Sequence, residues 1–298
     1  MAQGPWMGRD FIGGSVGDKQ KIGLILEQKP SAYSRSMRSQ LIALAQPYTF
    51  GVEVMEVDLP ADPDLIRPGH VDGIFQQCDH LQGVIVLSSV LSHRVGVLSR
   101  FAQHWSPRPM VSIGHRIAGV PSVVVDNRGG QRLAAAHLIE QHGRKQILYV
   151  RGRRDSIEAE DRYLGYRRAL HEHGILFQSS LLLNGDFTAK GAVDAMGQLA
   201  DDVKFDGVVA ANDDMALAIA EYLKRRGLRI PQDVAIIGFD DVEEARSAAP
   251  PLASVAQPFS GLAREALQVL HRQLTNGEVA LVVNVPVKLV PRVSCGCL

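Results

Sequence analysis

The sequence has few of the features that mark secreted, membrane-spanning or DNA-binding proteins. Its three cysteines are too few for a disulfide framework, so we expect reduced thiols. Its 32 basic and 32 acidic residues cancel, whereas DNA-binding domains usually carry a basic surplus that neutralises phosphates. No apolar run approaches the roughly 20 residues of a membrane helix, and the chain does not open with the basic and apolar stretches of a signal peptide. We therefore expect a cytoplasmic protein with no membrane partner.

The chain also lacks the motifs of common enzyme classes. It has no Gly-x-x-x-x-Gly-Lys-Ser/Thr phosphate loop and no His-Glu-x-x-His zinc motif. Residues 13–17 match Gly-x-Ser-x-Gly, but that motif needs a strand before its serine, and a polar, glycine-containing segment precedes it here. We therefore expect no catalytic residue, and a hydrolase or kinase is the minor alternative.

The cysteine spacing does not indicate a metal site. One residue separates Cys295 from Cys297, whereas zinc knuckles place at least two residues between ligands. We expect structural or incidental roles for these cysteines, with a metal or redox role as the alternative. The prediction is therefore a protein with no metal ligand and no cofactor.

From residue 22 onward, continuous apolar runs alternate with amphipathic segments, as in parallel sheets covered by helices on both faces. Helical patterns that begin near residues 130, 158 and 213 end at Gly143, Gly174 and Gly227, where glycine suits the left-handed conformation that closes a helix. This alternation predicts an α/β fold. The predicted strands are residues 22–26, 52–57, 83–87, 110–113, 122–126, 146–150, 181–183, 207–211 and 234–238.

The alternation is interrupted at residues 126–130. Their sequence, Asp-Asn-Arg-Gly-Gly, has the chemistry of a turn, and a second series of strand–helix units follows it. A chain of 298 residues, 46% of them apolar, is long enough for two lobes with separate cores. The sequence therefore predicts two doubly wound lobes.

Polar residues follow two of the predicted strands at the point where each ends. Asn212 and Asp213 come directly after strand 207–211, and Asp240 and Asp241 come just after strand 234–238. Because ligands of parallel α/β sheets bind at the carboxyl edge, this placement predicts a small-molecule site. In the doublets 213–214 and 240–241 we expect one aspartate to cap a helix or bind, while its neighbour faces away.

Several motifs, in order along the chain, resemble the effector-binding core of the LacI/GalR regulators. The most specific are Ala-Asn-Asp-Asp-Met-Ala at 211–216, Gly-Phe-Asp-Asp at 238–241 and Gln-Pro at 257–258. Arg-x-x-Gly-aromatic at 162–166, Gly-Asp-Phe at 185–187 and Ile-Pro-Gln-Asp-Val at 230–234 add to them. The resemblance covers residues 21–297 and is strongest from residue 121 onward.

The resemblance implies a periplasmic-binding-protein type I fold, in which two doubly wound parallel-sheet lobes are joined by a three-crossover hinge and ligand binds between them. On that basis we expect a flexible leader over 1–20, an N-terminal lobe of 21–127 plus 258–284, and a C-terminal lobe of 128–257 plus 285–298. A helix over 261–274 would belong to the first lobe, and a final strand over 285–290 to the second.

The resemblance also assigns candidate ligand-binding residues. Arg162 offers a rigid fork of donors, Asp240 offers two acceptor oxygens, and Phe187 offers a flat apolar face. Alternatives remain open: an Arg162–Glu158 ion pair, helix capping by Asp240 or Asn212, simple packing of Phe187, and a purely structural tie through Gln257. The full set of candidates is Arg162, Asp240, Asn212, Phe187, Gln257, Tyr33, Ser31 and Asp126.

In function, the resemblance implies a homodimeric sensor of a sugar, nucleoside or purine within a transcriptional regulator or a signalling protein. The family's helix-turn-helix would precede the first strand, where this chain has only 20 residues without a helical pattern. We therefore expect contact with DNA only through a domain absent from this chain. The tail at 292–297 resembles LacI-like sensor regions of bacterial signalling proteins, and a periplasmic sugar-binding protein of a transport system is the alternative.

Overall fold

The chain folds into two compact α/β units in a computed structural model that describes residues 11–12, 20–28, 31–48, 50–57, 73–74, 76–88, 95–200 and 202–298. Unit 1 comprises Met1–Val124 and Pro258–Val285, and unit 2 comprises Val125–Gln257 and Pro286–Leu298. The chain therefore passes from one unit to the other three times. No helix of the described residues is long and apolar enough to cross a membrane.

Unit 1 is built on a seven-stranded sheet, formed by β1 (Phe11–Ile12), β2 (Lys21–Glu27), β3 (Gly51–Val57), β4 (Gly83–Leu87), β5 (Met110–Ile113), β6 (Ser122–Val125) and β12 (Val282–Val285). The order is β1-β3-β2-β4-β5-β6-β12. The strands from β2 to β6 pair in parallel. Helices α1 (Ala32–Ala45), α2 (Val95–Trp105) and α8 (Phe259–Leu274) belong to this unit.

Unit 2 is built on a six-stranded sheet, formed by β7 (Ile147–Arg151), β8 (Leu182–Asn184), β9 (Gly207–Ala210), β10 (Ala235–Asp240), β11 (Ala253–Ala256) and β13 (Lys288–Val290). The order is β13-β11-β10-β9-β7-β8. All pairs are parallel except β11 with β13. Its helices are α3 (Asn127–His142), α4 (Ile157–Glu172), α5 (Ala189–Gly197), α6 (Asp213–Arg225) and α7 (Glu243–Ser247). These two sheets confirm the predicted fold class.

Three glycines lie just beyond helices, where the sequence predicted helix ends. Gly143, Gly174 and Gly227 follow α3, α4 and α6 with φ of 63°, 66° and 81°. Glycine takes this left-handed conformation without the steric cost of a Cβ. The backbone N–H of Gly143 donates back to the carbonyl of Ile139, which satisfies one of the last helical acceptors.

The structure corrects the prediction for the end of the chain. Residues 285–290 were expected to form one strand, but β12 and β13 are separate and belong to different sheets. Pro286 lies between them and has no backbone N–H to donate to a strand ladder. A continuous strand through this position would lack one of its hydrogen bonds.

Two further strands differ from the sequence prediction. Phe11–Ile12 lies in the stretch interpreted as a flexible leader, yet it pairs antiparallel with β3. Residues 1–10 and 13–19, which include the Gly-x-Ser-x-Gly match, lie outside the described residues. Strand β11 was not predicted because its four residues, Ala-Ser-Val-Ala, carry too little apolar bulk to stand out between two prolines and Gln257.

The Arg-x-x-Gly-aromatic sequence of α4 packs this helix against the sheet and against α3. Tyr166 is fully buried, stacks on Tyr149 with ring centroids 4.6 Å apart, and donates its hydroxyl to the carbonyl of Ile147. One residue earlier, a Cβ on Gly165 would lie 2.2 Å from the carbonyl oxygen of Arg128 in α3. The glycine therefore permits a close approach of two helix backbones.

We predict that Gly165→Ala destabilises the protein because the added methyl group cannot fit against the backbone of α3. Overpacking of this kind typically costs about 1–3 kcal/mol in the free energy of unfolding. Gly197→Ala is the matched control, since a Cβ there meets no atom within 4 Å. Urea denaturation followed by circular dichroism measures both changes. Equal stability of the two variants would contradict the close helix contact.

Candidate functional site

In unit 2, the candidate residues gather around the carboxyl edge of the sheet. Asp240 is the last residue of β10, Gln257 directly follows β11, and Asn212 lies two residues after β9. Phe187 lies in the loop after β8, and Arg162 projects from α4, which follows β7. The strand order reverses between β7 and β9, and such a switch point is where doubly wound sheets bind ligands.

Arg162 links the ends of several elements in the interior of unit 2. Only 6% of the residue is exposed. Its Nε donates to Oδ1 of Asn127 at 2.8 Å, and its Nη1 donates to the carbonyl of Ala211. Nη1 also lies 3.7 Å from Oδ1 of Asp240. The ion pair of Arg162 is thus with Asp240, whereas Glu158, the partner considered in the sequence analysis, accepts from Ser156.

Asp240 is held in an uncommon backbone conformation with one carboxylate oxygen engaged. Its φ is 118°, a region that residues with a Cβ rarely adopt. Oδ1 accepts from Nε2 of Gln257 at 2.6 Å and faces Arg162. Within the part of the chain that the structure describes, Oδ2 therefore remains as the acceptor for another donor. The capping alternative does not apply to α7, since Val242 occupies its N-cap position.

Burial raises the pKa of Asp240 to about 7, and the nearby positive charge of Arg162 and the hydrogen bond from Gln257 act in the opposite direction. Desolvation disfavours the charged form of a carboxyl group, which is why an aspartate here titrates near neutrality. The protonation state of Asp240 therefore changes within the physiological range. Any ligand that needs an ionised acceptor at this position will bind in a pH-dependent manner.

Aromatic rings flank the guanidinium of Arg162. Its central carbon lies 3.7 Å from the ring centroid of Phe239 and 5.7 Å from that of Phe187. Phe187 has a positive φ of 62°, and its ring lies over Gly152, where a Cβ would come 2.2 Å from Cζ. The half-buried ring of Phe187 thus combines a fixed position with an apolar surface that is still partly exposed.

Asn212 and Asp126 both cap helices. Oδ1 of Asn212 accepts from the backbone N–H of Met215 at the start of α6, and Nδ2 donates to the carbonyl of Phe187 at 3.1 Å. Asp126 is exposed and accepts from the N–H of Gly129 at the start of α3. For Asn212 the capping alternative of the sequence analysis describes the observed contacts. Its amide also fixes the loop that carries Phe187.

Sequence reasoning did not identify a second buried network, centred on Asp213. Its Oδ1 accepts from the hydroxyl of Ser254 at 2.7 Å, and its Oδ2 accepts from the N–H of Val242 at 3.0 Å. Burial raises the pKa of Asp213 well above its usual range, and the charge of Asp240 adds to this effect. Gly238 leaves room for this carboxyl group, since a Cβ there would lie 2.1 Å from its Oδ1. Asp213 thus fastens the chain after β10 to the sheet.

In the second aspartate doublet the two side chains have different partners. Asp240 contacts Gln257 and Arg162, whereas the carboxylate of Asp241 lies 3.1 Å from Arg246 and 2.6 Å from Arg292. A positive φ of 60° at Asp241 follows that of Asp240 and turns the chain between them. The two carboxylates therefore do not form a metal-binding pair.

Ser31 and Tyr33 lie in unit 1, after β2. Ser31 caps α1 by accepting from the N–H of Ser34, and its hydroxyl lies 3.4 Å from a carboxylate oxygen of Glu27. Tyr33 is buried, and its ring centroid lies 5.6 Å from that of Phe259. Burial raises the pKa of Glu27. Residues 29–30, between β2 and this cap, lie outside the described residues.

One group of side chains in unit 2 has the donor set of a metal site. The ligand atoms of His137, His142, Cys295 and Cys297 all lie within 4.8 Å of one another. They occupy the C-terminal end of α3 and the segment after β13. The sequence spacing gave no sign of this cluster, because the two histidines and the two cysteines are far apart along the chain.

Comparison with known proteins agrees with this architecture. Residues 135–295 match the family model of the periplasmic binding protein-like domain. The HTH-type transcriptional regulator CelR of Thermobifida fusca is 38% identical over 202 residues, which are 66% of this chain and 58% of that protein. The matched region thus spans little more than half of that curated relative.

Solved structures extend the likeness across both units. The Escherichia coli transcriptional repressor AscG is 25% identical with a TM-score of 0.76, and 93% of this chain and 99% of that one are covered. A complex of transcriptional regulator CelR with cellobiose is 26% identical with a TM-score of 0.77, at coverages of 94% and 86%. The proteins that this chain resembles in this way are transcriptional regulators, and the chain itself belongs to the periplasmic binding protein-like domain family.

Proposed function

We propose that this chain is the effector-sensing region of a LacI/GalR-type regulator and that its effector is a carbohydrate or a similar polyhydroxyl compound. In this proposal Arg162 and Asp240 hold the ligand from unit 2, and Phe187 packs against it. The protein senses its ligand and does not transform it. A nucleoside or purine is the second ligand class to test, since an aspartate also accepts from ring N–H groups.

The observation that carries the proposal is the arrangement around Oδ2 of Asp240. Gln257 and Arg162 both approach Oδ1, so the second oxygen is available to accept from a ligand hydroxyl. Among the described residues, Arg162 uses Nε to bind Asn127 and Nη1 to bind Ala211, which leaves Nη2 as a donor for a ligand. A sugar presents polar hydroxyl groups and apolar ring faces. The carboxylate of Asp240, the guanidinium of Arg162 and the partly exposed ring of Phe187 match these two kinds of surface.

The relatives support carbohydrate as the first class to test. One of the similar solved structures is a regulator in complex with cellobiose, at 26% identity to this chain. We extend that ligand class, and not cellobiose itself, to this protein. A thermal-shift screen of mono- and disaccharides, with nucleosides and purines in parallel, selects the ligand for the measurements below.

The same proposal implies a cellular location and an output for this protein. We infer a cytoplasmic protein that acts on DNA through a domain outside this chain, or that feeds a signalling module. Ser31 and Tyr33 of unit 1 and Asp126 and Gln257 of unit 2 remain candidates for further ligand contacts. A transport-associated periplasmic protein is the alternative, and a signal peptide encoded by the full gene would favour it.

We predict that Asp240→Asn and Arg162→Lys weaken ligand binding at least tenfold. Each substitution keeps the approximate size of the side chain but removes a charged acceptor or the planar donor fork, and unpaired groups at a buried site cost about 1–3 kcal/mol. Isothermal titration calorimetry with the best ligand of the screen measures the dissociation constants.

Arg168→Ala is the matched control, because Arg168 lies on the same helix and its side chain is 64% exposed. Circular dichroism verifies that all variants are folded. If both site variants bind like the wild type, the ligand site lies elsewhere. Loss of binding in the control as well would point to a general effect on α4.

We predict that the affinity for a neutral ligand falls as the pH is lowered through 7. The pKa of Asp240 is about 7 in the free protein, and the ionised carboxylate is the form that accepts from ligand hydroxyls. Its ionised fraction drops about tenfold between pH 8 and pH 6, so the dissociation constant should rise by a similar factor. Calorimetry at the two pH values tests this, and Asp240→Asn should abolish the dependence. A pH-independent wild type would argue against Asp240 as the acceptor.

We also propose that the chain forms a homodimer, as the family resemblance implies. Its formal net charge of zero opposes association only weakly. Light scattering at micromolar concentration should therefore give twice the chain mass of 32.4 kDa. A mass equal to that of one chain would reject the dimer and leave the ligand proposal unaffected.

A further inference from the structure

Four potential metal ligands converge from two segments of unit 2 that are distant in sequence. His137 and His142 lie on the last turns of α3, and Cys295 and Cys297 follow β13. The two Nε2 atoms are 3.2 Å apart. Sγ of Cys297 lies 3.5 Å from Nε2 of His137 and 3.4 Å from that of His142, and Sγ of Cys295 lies 3.6 Å from Nε2 of His137.

Four of the six distances between these ligand atoms fit a tetrahedral zinc site. Zinc binds cysteine sulfur at about 2.3 Å and histidine nitrogen at about 2.0–2.1 Å, so tetrahedral geometry separates sulfur from nitrogen by roughly 3.5 Å and two nitrogens by roughly 3.4 Å. The sulfur–nitrogen distances of 3.4–3.6 Å and the nitrogen–nitrogen distance of 3.2 Å agree closely with these values.

The cysteine segment is anchored against the sheet. The hydroxyl of Ser294, buried next to Cys295, accepts from the N–H of Ala253 and donates to the carbonyl of Ile236. The guanidinium of Arg292 donates to the carbonyl of Leu252 at 2.6 Å. Hydrogen bonds to both β10 and β11 therefore fix the position of the first thiol.

Gly296 allows the second thiol to reach the histidines. Its φ is 110°, which favours glycine, and a Cβ there would lie 2.9 Å from Nδ1 and 3.0 Å from Cε1 of His142. The residue between the two cysteines is thus the one that fits beneath the imidazole ring. This turn explains how ligands separated by a single residue serve one centre, in contrast to the wider spacing of zinc knuckles.

We propose that His137, His142, Cys295 and Cys297 bind one zinc ion, which fastens the segment after β13 to the C-terminal end of α3. Binding deprotonates both thiols and releases their protons to solvent. Two sulfur and two nitrogen ligands in a tetrahedron favour zinc, whereas magnesium and calcium prefer oxygen ligands. With four protein ligands the site has no open position, so its role is structural.

The metal would restrain a long stretch of the chain. His142 and Cys295 lie 153 positions apart in the sequence. A metal ion that joins them closes a loop of this length and removes much of the conformational freedom of the unfolded chain. Zinc should therefore raise the melting temperature. With free zinc at about one hundred times the dissociation constant, the rise expected for a chain of this size is roughly 4 °C.

The test uses the whole chain, reduced, freed of metal by a chelator and titrated with zinc or cobalt. We expect one equivalent of zinc per chain by mass spectrometry of the metal content. Cobalt should give a thiolate charge-transfer band in the near ultraviolet and the intense visible bands of a tetrahedral ion. Cys297→Ser and His142→Ala should each weaken zinc binding at least tenfold and lower the zinc-dependent rise in melting temperature by about half or more.

Two control variants separate this site from other thiols and rings. Cys78→Ala removes the cysteine of unit 1, and His171→Ala removes an exposed histidine of α4, so both should keep one zinc and the cobalt spectrum. Failure of the reduced wild type to bind zinc overturns the proposal, as does unchanged binding in the folded Cys297→Ser and His142→Ala variants. A disulfide between Cys295 and Cys297 that reforms in place of metal binding also overturns it.

Discussion

The buried guanidinium of Arg162 is the interaction on which the carboxyl edge of unit 2 depends. It binds Asn127 at the start of α3 and the carbonyl of Ala211 after β9, and it faces Asp240 at the end of β10. Removing one partner of a buried ion pair is costly because the other charge is left without compensation. One side chain therefore sets the relative positions of three chain segments as well as the electrostatics of the site. In the proposed function, the same side chain also holds the ligand.

Backbone conformation supports that arrangement. Four residues at the carboxyl edge have positive φ: Asp240 at the end of β10, and Asp186, Phe187 and Asp241 in the adjoining loops. Non-glycine residues adopt this conformation only when surrounding contacts hold them there. Here the contacts are the hydrogen bond from Asn212 to the carbonyl of Phe187 and the network of Asp213 with Ser254 and Val242. The polar residues of these loops therefore fix the backbone that presents the candidate ligand contacts.

The parts of the structure that follow from local patterns could be predicted from the sequence, and the parts that depend on distant contacts could not. Apolar alternation and helix-ending glycines indicated the α/β fold, and polar residues after strands indicated the edge that carries the candidate site. The bond between Ser254 and Asp213 joins residues 41 positions apart, and that between Cys295 and His137 spans 158. No local sequence pattern indicates that two such distant residues are in contact. Short β11 was missed for a different reason, since its four residues carry little apolar bulk, and the break at Pro286 was missed although proline is a local signal against a continuous strand.

The buried carboxyl groups of unit 2 also affect the charge of the whole protein. The formal sum of zero counts every aspartate as ionised, yet burial raises the pKa of Asp213 well above its usual range and raises that of Asp240 to about 7. Near neutral pH these two carboxyl groups therefore carry less negative charge in the folded chain than the composition suggests. Since an unfolded aspartate titrates near pH 3.9 and the pKa of Asp240 is raised to about 7, this residue takes up a proton on folding between about pH 4 and pH 7, and its own contribution to stability is lost as the pH rises through that interval. Acidification therefore removes a buried negative charge at Asp240 and at the same time leaves the guanidinium of Arg162 without its ionised partner.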